Sequence, residues 1–256
     1  MLTHPTLEKM KRLRLYGMAK AFEDQQELPE IHDLSFEERL GLLIDREETE
    51  RENSRLQTRL RKAKFSQSAC LEDLDWRSRR GLDKSLLATW ASCEWVGSRL
   101  NFIVTGPTGV GKTYLACALG QKACREGYSV EYHRVPRLFP ELSLAKGDGR
   151  YGALLRRLAR TDLVILDDWG LYPFNDEGRR DLLEILEDRS GKRSTLVTSQ
   201  LPVDHWHESI GDPTLADAIL DRIVHDAHKI NLQGDSMRRK KSKIPRNGEG
   251  KESSRN

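Results

Sequence analysis

Hydrophobic and polar positions along the chain fall into three zones. Up to about residue 75 the pattern is helical throughout. Ser35-Phe36-Glu37-Glu38 reads as a capping box, with Ser35 accepting from the Glu38 amide while the Glu38 side chain reaches back. Behind it Phe36, Leu40, Leu43 and Ile44 recur at helical spacing and define an apolar face. From Glu47 to Lys64 the stripe thins to Leu56 and Leu60, leaving a polar helix that needs a partner surface or many ion pairs one turn apart. From Gly81 onward, short apolar runs alternate with helical segments. Strands are expected at 101–105, 129–133, 162–168 and 194–198, with a short fifth at 229–232. Helices are expected over 112–125, which Gly127 would stop, and over 177–189. Continuous apolar strands alternating with helices predict an α/β fold whose parallel sheet is covered on both faces.

Composition narrows the class. The 256 residues make one large domain or a medium domain plus a small one, and 37% hydrophobic residues are enough for a core. No apolar run approaches the roughly 20 residues of a spanning helix, and the opening residues lack a secretory signal, so a membrane or secreted protein is not expected. In the expected cytoplasmic compartment Cys70, Cys93, Cys117 and Cys124 are reduced thiols, without a C-x-x-C pair or clustered zinc ligands. Formal net charge is +3, but Arg238–Asn256 holds eight basic residues against two acidic ones. Such a tail is either a solvated, disordered end or a segment that touches an anionic partner.

The strongest chemical signal is Gly106-Pro107-Thr108-Gly109-Val110-Gly111-Lys112-Thr113, which matches G-x-x-x-x-G-K-[ST] and sits between an apolar strand and a helix. Backbone amides of such a turn cradle phosphate oxygens, Lys112 is placed to reach the β- and γ-phosphates, and Thr113 to hold Mg²⁺. A second carboxylate-bearing strand end is expected, and Leu163-Val-Ile-Leu-Asp-Asp168 supplies it. Asp167 is expected at the metal, and Asp168 at the attacking water. Of Thr198-Ser199-Gln200, at the tip of the fourth strand, Ser199 is taken as the γ-phosphate sensor. Arg222 would serve as an arginine finger if a neighbouring subunit supplied it, although spacing does not single it out among many arginines.

Other features have plainer readings. His205 with His207, and His225 with His228, lack a completing carboxylate or cysteine set and read as surface or interface residues. Trp76, Trp90, Trp95, Trp169 and Trp206 read as packing residues. Arg55, Arg59 and Lys62 share one helical face, with Lys64, Arg77, Arg79 and Arg80 following. That face would rest along a phosphate backbone or be an ordinary solvated surface, and the run alone does not choose.

Taken together, these residues resemble the IstB-type transposition helper ATPases of bacterial insertion sequences. The resemblance runs from Leu15-Tyr-Gly-Met-Ala19, through Leu34–Leu40, Ala69–Asp73, Gly106–Gly120, Asp167-Asp-Trp-Gly170 and Gly211–Asp217, to Ser236-Met-Arg238. It implies an AAA+ ATPase domain of the initiator and helicase-loader branch at 76–237. A small all-helical domain for DNA or partner binding would precede it at 1–75, and a basic tail would follow at 238–256. It further implies ATP and Mg²⁺ bound between subunits of a homo-oligomer, with Arg222 at the family's finger position and Arg238 as second sensor. Asp168 fits the family's own choice at that position. Family members assemble on duplex DNA with ATP, bend it and present it to a partner transposase. On that reading Arg55, Arg59, Lys62, Lys64, Arg79 and Arg80 become the DNA-contacting set.

Two rival readings remain. A helicase loader would share the ATPase core but prefer single-stranded DNA, and a small-molecule P-loop kinase would leave the basic helix unexplained.

Overall fold

The computed structural model describes residues 5–74, 81 and 84–237, and the chain divides into two units, Met1–Lys62 and Ala63–Asn256. The first unit holds α1 (Pro5–Arg12), α2 (Tyr16–Glu27), a 3-10 turn at Pro29–Asp33 and nearly all of α3 (Phe36–Ala63). The expected capping box opens α3: the Ser35 amide donates to Glu38 Oε2 at 2.8 Å, and the Glu38 amide to Ser35 Oγ at 3.3 Å. The expected apolar face divides differently. Leu43 is buried, while Phe36 and Ile44 are 71% and 51% exposed.

A polar contact, not only an apolar stripe, joins α2 to α3. Glu47 is buried, and its Oε2 accepts from the amides of Gly17 at 2.8 Å and Met18 at 3.1 Å, satisfying donors that the first turn of α2 leaves unpaired. The helices approach so closely here that a Cβ on Gly17 would lie 2.6 Å from the Arg46 carbonyl oxygen. The glycine of the Leu15–Ala19 run is therefore a packing requirement. Burial works to raise the Glu47 pKa, but hydrogen bonds from Arg51 and from the two amides prevail and hold it below the ordinary value. A depressed carboxyl contributes stability that is present above its unfolded pKa and is lost as pH falls through the folded one. The first unit should thus loosen on acidification below about pH 4.5, and Glu47→Gln should flatten that part of its pH-dependent melting curve.

The second unit is built on a five-stranded, wholly parallel sheet in the order β2-β3-β4-β1-β5, flanked by helices. Its strands are β1 (Asn101–Thr105), β2 (Val130–Arg134), β3 (Leu163–Trp169), β4 (Ser194–Ser199) and β5 (Ala227–Asn231), close to the sequence expectation. Its helices are α4 (Lys84–Ala91), α5 (Glu94–Gly97), α6 (Lys112–Arg125), α7 (Val135–Gly147), α8 (Tyr151–Arg160), α9 (Asp176–Arg189), α10 (Trp206–Ile210) and α11 (Pro213–Val224). β1 and β4 are buried at every position, as a sheet covered on both faces requires. Trp90, Trp95, Trp169 and Trp206 are core residues as expected, whereas Trp76 lies outside the described residues.

The helical reading of the whole first 75 residues stops short. Lys64, with φ 54°, ends the long helix, and residues 65–74 are turns and loop. That segment packs on α6: the Tyr114 hydroxyl donates to the Cys70 carbonyl at 3.4 Å, and Cys70 Sγ to Gln121 Oε1 at 2.9 Å. The division into units accordingly falls at Lys62, earlier than the expected 75.

Arg189 ties the far end of the sheet together. It is 1% exposed, and its guanidinium donates to the carbonyls of Leu158, Thr161 and Ser194, with Nε on Thr195 Oγ1 at 3.1 Å. These groups end α8 and open β4, so one cation satisfies the Leu158 and Thr161 carbonyls that the helix end leaves free and links them to the start of β4. Burial lowers its pKa to about 9, which still leaves it charged at neutral pH. Arg189→Leu should cost about 3–5 kcal/mol by orphaning those carbonyls. Urea unfolding measures this, and a loss under about 1 kcal/mol would contradict the role.

Candidate functional site

Parallel strands place their carboxyl ends on one edge of the sheet, and crevices at that edge are where such folds bind ligands. Here a cleft of about 990 Å³ opens there, lined by Thr108, Lys112, Thr113, Asp167, Asp168 and Gln200 among others. The 106–113 loop links β1 to α6, with Gly111 at the N-cap in a left-handed conformation, φ 107°. Lys112 is buried, and its Nζ donates to the carbonyls of Gly106 at 2.8 Å and Pro107 at 3.0 Å. The loop is also braced by the segment after β5. The Met237 amide donates to the Gly109 carbonyl at 2.9 Å, and a Cβ on Gly109 would lie 2.3 Å from Ser236 Oγ.

Asp167 is the hub. It is 2% exposed and accepts hydroxyls from three elements: Thr113 at 3.0 Å to each oxygen, Tyr132 at 2.6 Å, and Thr198. Burial and the adjacent carboxylate push the Tyr132 pKa far above its ordinary value, so the phenol stays a donor. Asp168 follows in an unusual conformation. A regular strand would turn successive side chains to opposite faces, but β3 carries a register shift between Leu166 and Trp169, and Asp168 has φ 62°. The bulge brings both carboxylates to the cleft wall. A left-handed non-glycine residue costs on the order of 1 kcal/mol, least for Asp and Asn.

Sequence reasoning missed Arg134, at the end of β2. Its Nε and Nη2 donate to Asp168 Oδ2 at 2.8 and 2.6 Å, and the carboxylate raises the guanidinium pKa above its already high value. Ser199, the expected sensor, is absent from the cleft lining. Ser199 is fully buried, with its hydroxyl donating to the Trp169 carbonyl at 2.9 Å and accepting from the Leu201 amide at 3.0 Å. It faces away from the cleft, while Gln200 lines it, accepting from Thr108 Oγ1 at 2.6 Å.

The remaining expected residues lie elsewhere or outside the described set. Arg222 is on α11, where its guanidinium donates to the Ala218 carbonyl at 2.6 Å and pairs with Glu187. Arg55, Arg59 and Lys62 fall on α3 at i, i+4 and i+7, and Lys64 is exposed just beyond it. Arg79, Arg80 and Arg238 lie outside the described residues. Among the described residues no group of three or more His, Cys, Asp and Glu side chains is placed to hold a metal ion.

The donor set suits a magnesium nucleotide: a lysine and inward-facing loop for phosphates, with a hydroxyl beside a buried carboxylate for a hard cation. Fold and site together define a P-loop nucleotide-binding protein of AAA+ type. Solved structures agree in fold. The crystal structure of DnaI aligns with TM-score 0.56 at 23% identity, over 69% of this chain and 94% of that one. A replication initiator, DnaA bound to AMPPCP and single-stranded DNA, aligns with TM-score 0.53 at 17% identity, over 67% of this chain and 52% of that one.

The chain belongs to the family of IstB-like ATP binding proteins, whose sequence profile matches residues 8–244. A relative from Sinorhizobium fredii, named as an insertion sequence ATP-binding protein, is 56% identical over 93% of this chain and 98% of its own length. The ATP-binding protein of insertion sequence IS21 from Pseudomonas aeruginosa is 32% identical over 91% of this chain and 88% of its own.

One expectation separates site chemistry from stability. Asp168→Asn keeps a side chain that tolerates the left-handed conformation, so the melting temperature should change by no more than a few degrees. Were Asp168 the base expected from the sequence, any nucleotide hydrolysis should fall at least about 100-fold. A large drop in melting temperature would mean that the carboxylate serves the fold instead.

Proposed function

We propose that the protein is an ATP-hydrolysing helper of transposition, which assembles on duplex target DNA, bends it and recruits the partner transposase. The observation that carries the hydrolytic part is the junction of Thr113, Asp167 and the bulged Asp168 beside the phosphate loop. Lys112 and the loop amides would bind the phosphates, and Thr113 and Asp167 would hold Mg²⁺. That ion supplies neutralisation of charge on the phosphate oxygens. Asp168 would take the proton of the attacking water, and Gln200 would orient that water against the γ-phosphate. Arg222 would reach the site of an adjoining subunit, with Arg238 as second sensor, which would make turnover depend on assembly.

The DNA part is supported by family membership and by the basic row Arg55, Arg59 and Lys62 on α3, with Lys64, Arg79 and Arg80 assigned to the same contacts. Contacts of this kind grip phosphates without reading bases, which suits capture of arbitrary target DNA. Bending a site costs about 1–6 kcal/mol, an amount that many subunits would share. No helix among the described residues is long and apolar enough to cross a membrane, which agrees with work on DNA in the cytoplasm.

Sedimentation on a random-sequence duplex tests this reading. Large particles should form with ATP, not with ADP, and disappear in Lys112→Ala. A small species that ignores duplex under both nucleotides would overturn it. Preference for single strands would transfer the same core to helicase loading. The double variant Arg55→Ala/Arg59→Ala should weaken duplex binding uniformly across sequences and flatten its salt dependence by about one unit of slope per lost phosphate contact.

A further inference from the structure

The corner between α1 and α2 carries charge and apolar surface for which the first unit itself has no use. No acidic residue lies between Glu8 and Glu23, whereas Lys9, Lys11, Arg12, Arg14 and Lys20 are all exposed there. Among the described residues Lys11 alone of these forms an ion pair, with Glu23 at 3.4 Å. Set among the cations, Leu13 and Tyr16 are 65% and 60% exposed. Hydrogen bonds fix the corner. The Leu15 amide donates to the Met10 carbonyl at 2.9 Å and the Arg14 amide to the Lys11 carbonyl at 3.0 Å, the pair of bonds that closes a helix over a left-handed residue. That residue is Arg14, with φ 59°, at a position where glycine would avoid the strain. On the other side the Gly17 and Met18 amides seat α2 on the Glu47 carboxylate.

Charge decides what such a tip can meet. Phe36 and Ile44 on α3 are also exposed, but Glu37, Glu38 and Asp45 flank them in sequence. At the α1–α2 corner the flanking charges are cations, and unpaired cations around a small apolar tip match a polyanion. Two side chains fall far short of the about 1,000 Å² that a specific protein interface buries. The minor groove of a duplex, about 6 Å wide, admits side chains but not a helix, and phosphates line both of its rims. Apolar side chains pushed into it part a base step and kink the duplex.

Resting on the DNA reading above, we propose that the α1–α2 corner is a minor-groove wedge: Leu13 and Tyr16 enter a base step, Arg12, Arg14 and Lys20 hold the phosphates on its rims, and the insertion supplies the bend. Counted from Glu47, Arg55 lies about 12 Å and Lys62 about 22 Å along α3, so corner and basic row fall within the span of one duplex turn, about 34 Å. The row grips and the corner kinks. Insertion reads no base edge, so the bend tolerates any sequence and favours flexible pyrimidine–purine steps.

A duplex of arbitrary sequence, with 2-aminopurine at its TA steps and a dye at each end, tests the wedge on the full chain with ATP. Binding should raise 2-aminopurine emission about twofold or more as bases unstack, and should increase energy transfer between the ends. Leu13→Ala/Tyr16→Ala, which changes only exposed side chains, should lose most of both signals at saturating protein, with affinity reduced less than about tenfold. Arg12→Ala/Arg14→Ala should instead lower the salt slope by about two and keep the emission rise once saturated. Leu13→Lys preserves attraction to phosphate and should at least halve the emission rise, which decides the matter should the alanine pair fail to fold. Wild-type emission and transfer in either Leu13 variant would overturn the wedge. So would a wild-type chain that binds the duplex with no rise in emission. A wild-type chain that binds no duplex at all would instead remove the DNA reading on which the wedge rests.

Discussion

A buried carboxylate has to be surrounded by donors, and Asp167 sets that condition for the whole sheet edge. Stripped of water, an ionised carboxylate is costly unless hydrogen bonds replace what it lost. The replacements come from α6, β2 and β4, through Thr113, Tyr132 and Thr198. The strand order explains why they converge. With β3 between β2 and β4, a residue at its tip has a neighbour on each side, and the helix after the phosphate loop begins close by. A shift of any of these elements by one residue would cost the carboxylate one of its donors. Asp167 therefore fixes the register of the sheet at the place where the chemistry needs it.

The bulge after Asp167 resolves a conflict between sheet geometry and chemistry. Alternation allows a strand to offer one side chain to a given face, whereas this cleft receives two adjacent carboxylates. Asp168 reaches it by taking a left-handed backbone, and the strain is modest because aspartate tolerates that region. The two neighbours then differ in character. Asp167 is locked by neutral hydroxyls in the interior, and Asp168 is held by one partly exposed cation. A locked carboxylate and an exchangeable one, placed side by side, would suit the proposed roles of holding a cation and activating water.

Much of this was legible in the sequence because it is contiguous. The phosphate loop, the apolar strand ending in Asp167-Asp168 and the capping box at Ser35 each lie within a few residues, and the structure builds them as read. What failed to show was set by contacts distant in the chain. Which of Thr198, Ser199 and Gln200 faces the cleft depends on a one-residue direction at a strand tip, beside a β3 register shift that the pattern does not show. Tyr132 and Arg134 belong to no motif and acquire their roles only because β2 pairs with β3. The end of the long helix was likewise hidden: Lys64 adopts the left-handed cap where a glycine would have announced it. Residues 65–74, polar enough to pass for more of that helix, instead lie along α6.

The same division of labour explains where the second unit can move. Arg189 and the apolar interior pin the ends of β3 and β4 far from the cleft, with donors fully buried and satisfied. At the cleft itself the contacts are of another kind. Lys112 rests on carbonyls of its own loop, Thr108 on Gln200, the 236–237 segment on Gly109, and Arg134 on Asp168. All are polar, and several are partly exposed. Each can be exchanged for a phosphate or a water without opening the core, because water competes for such bonds and lowers the cost of breaking them. Apolar packing around the same residues would have tied nucleotide response to unfolding. A rigid sheet edged by exchangeable hydrogen bonds lets a ligand rearrange the rim while β1, β3 and β4 keep their register, and this separates a nucleotide-responsive site from a merely stable one.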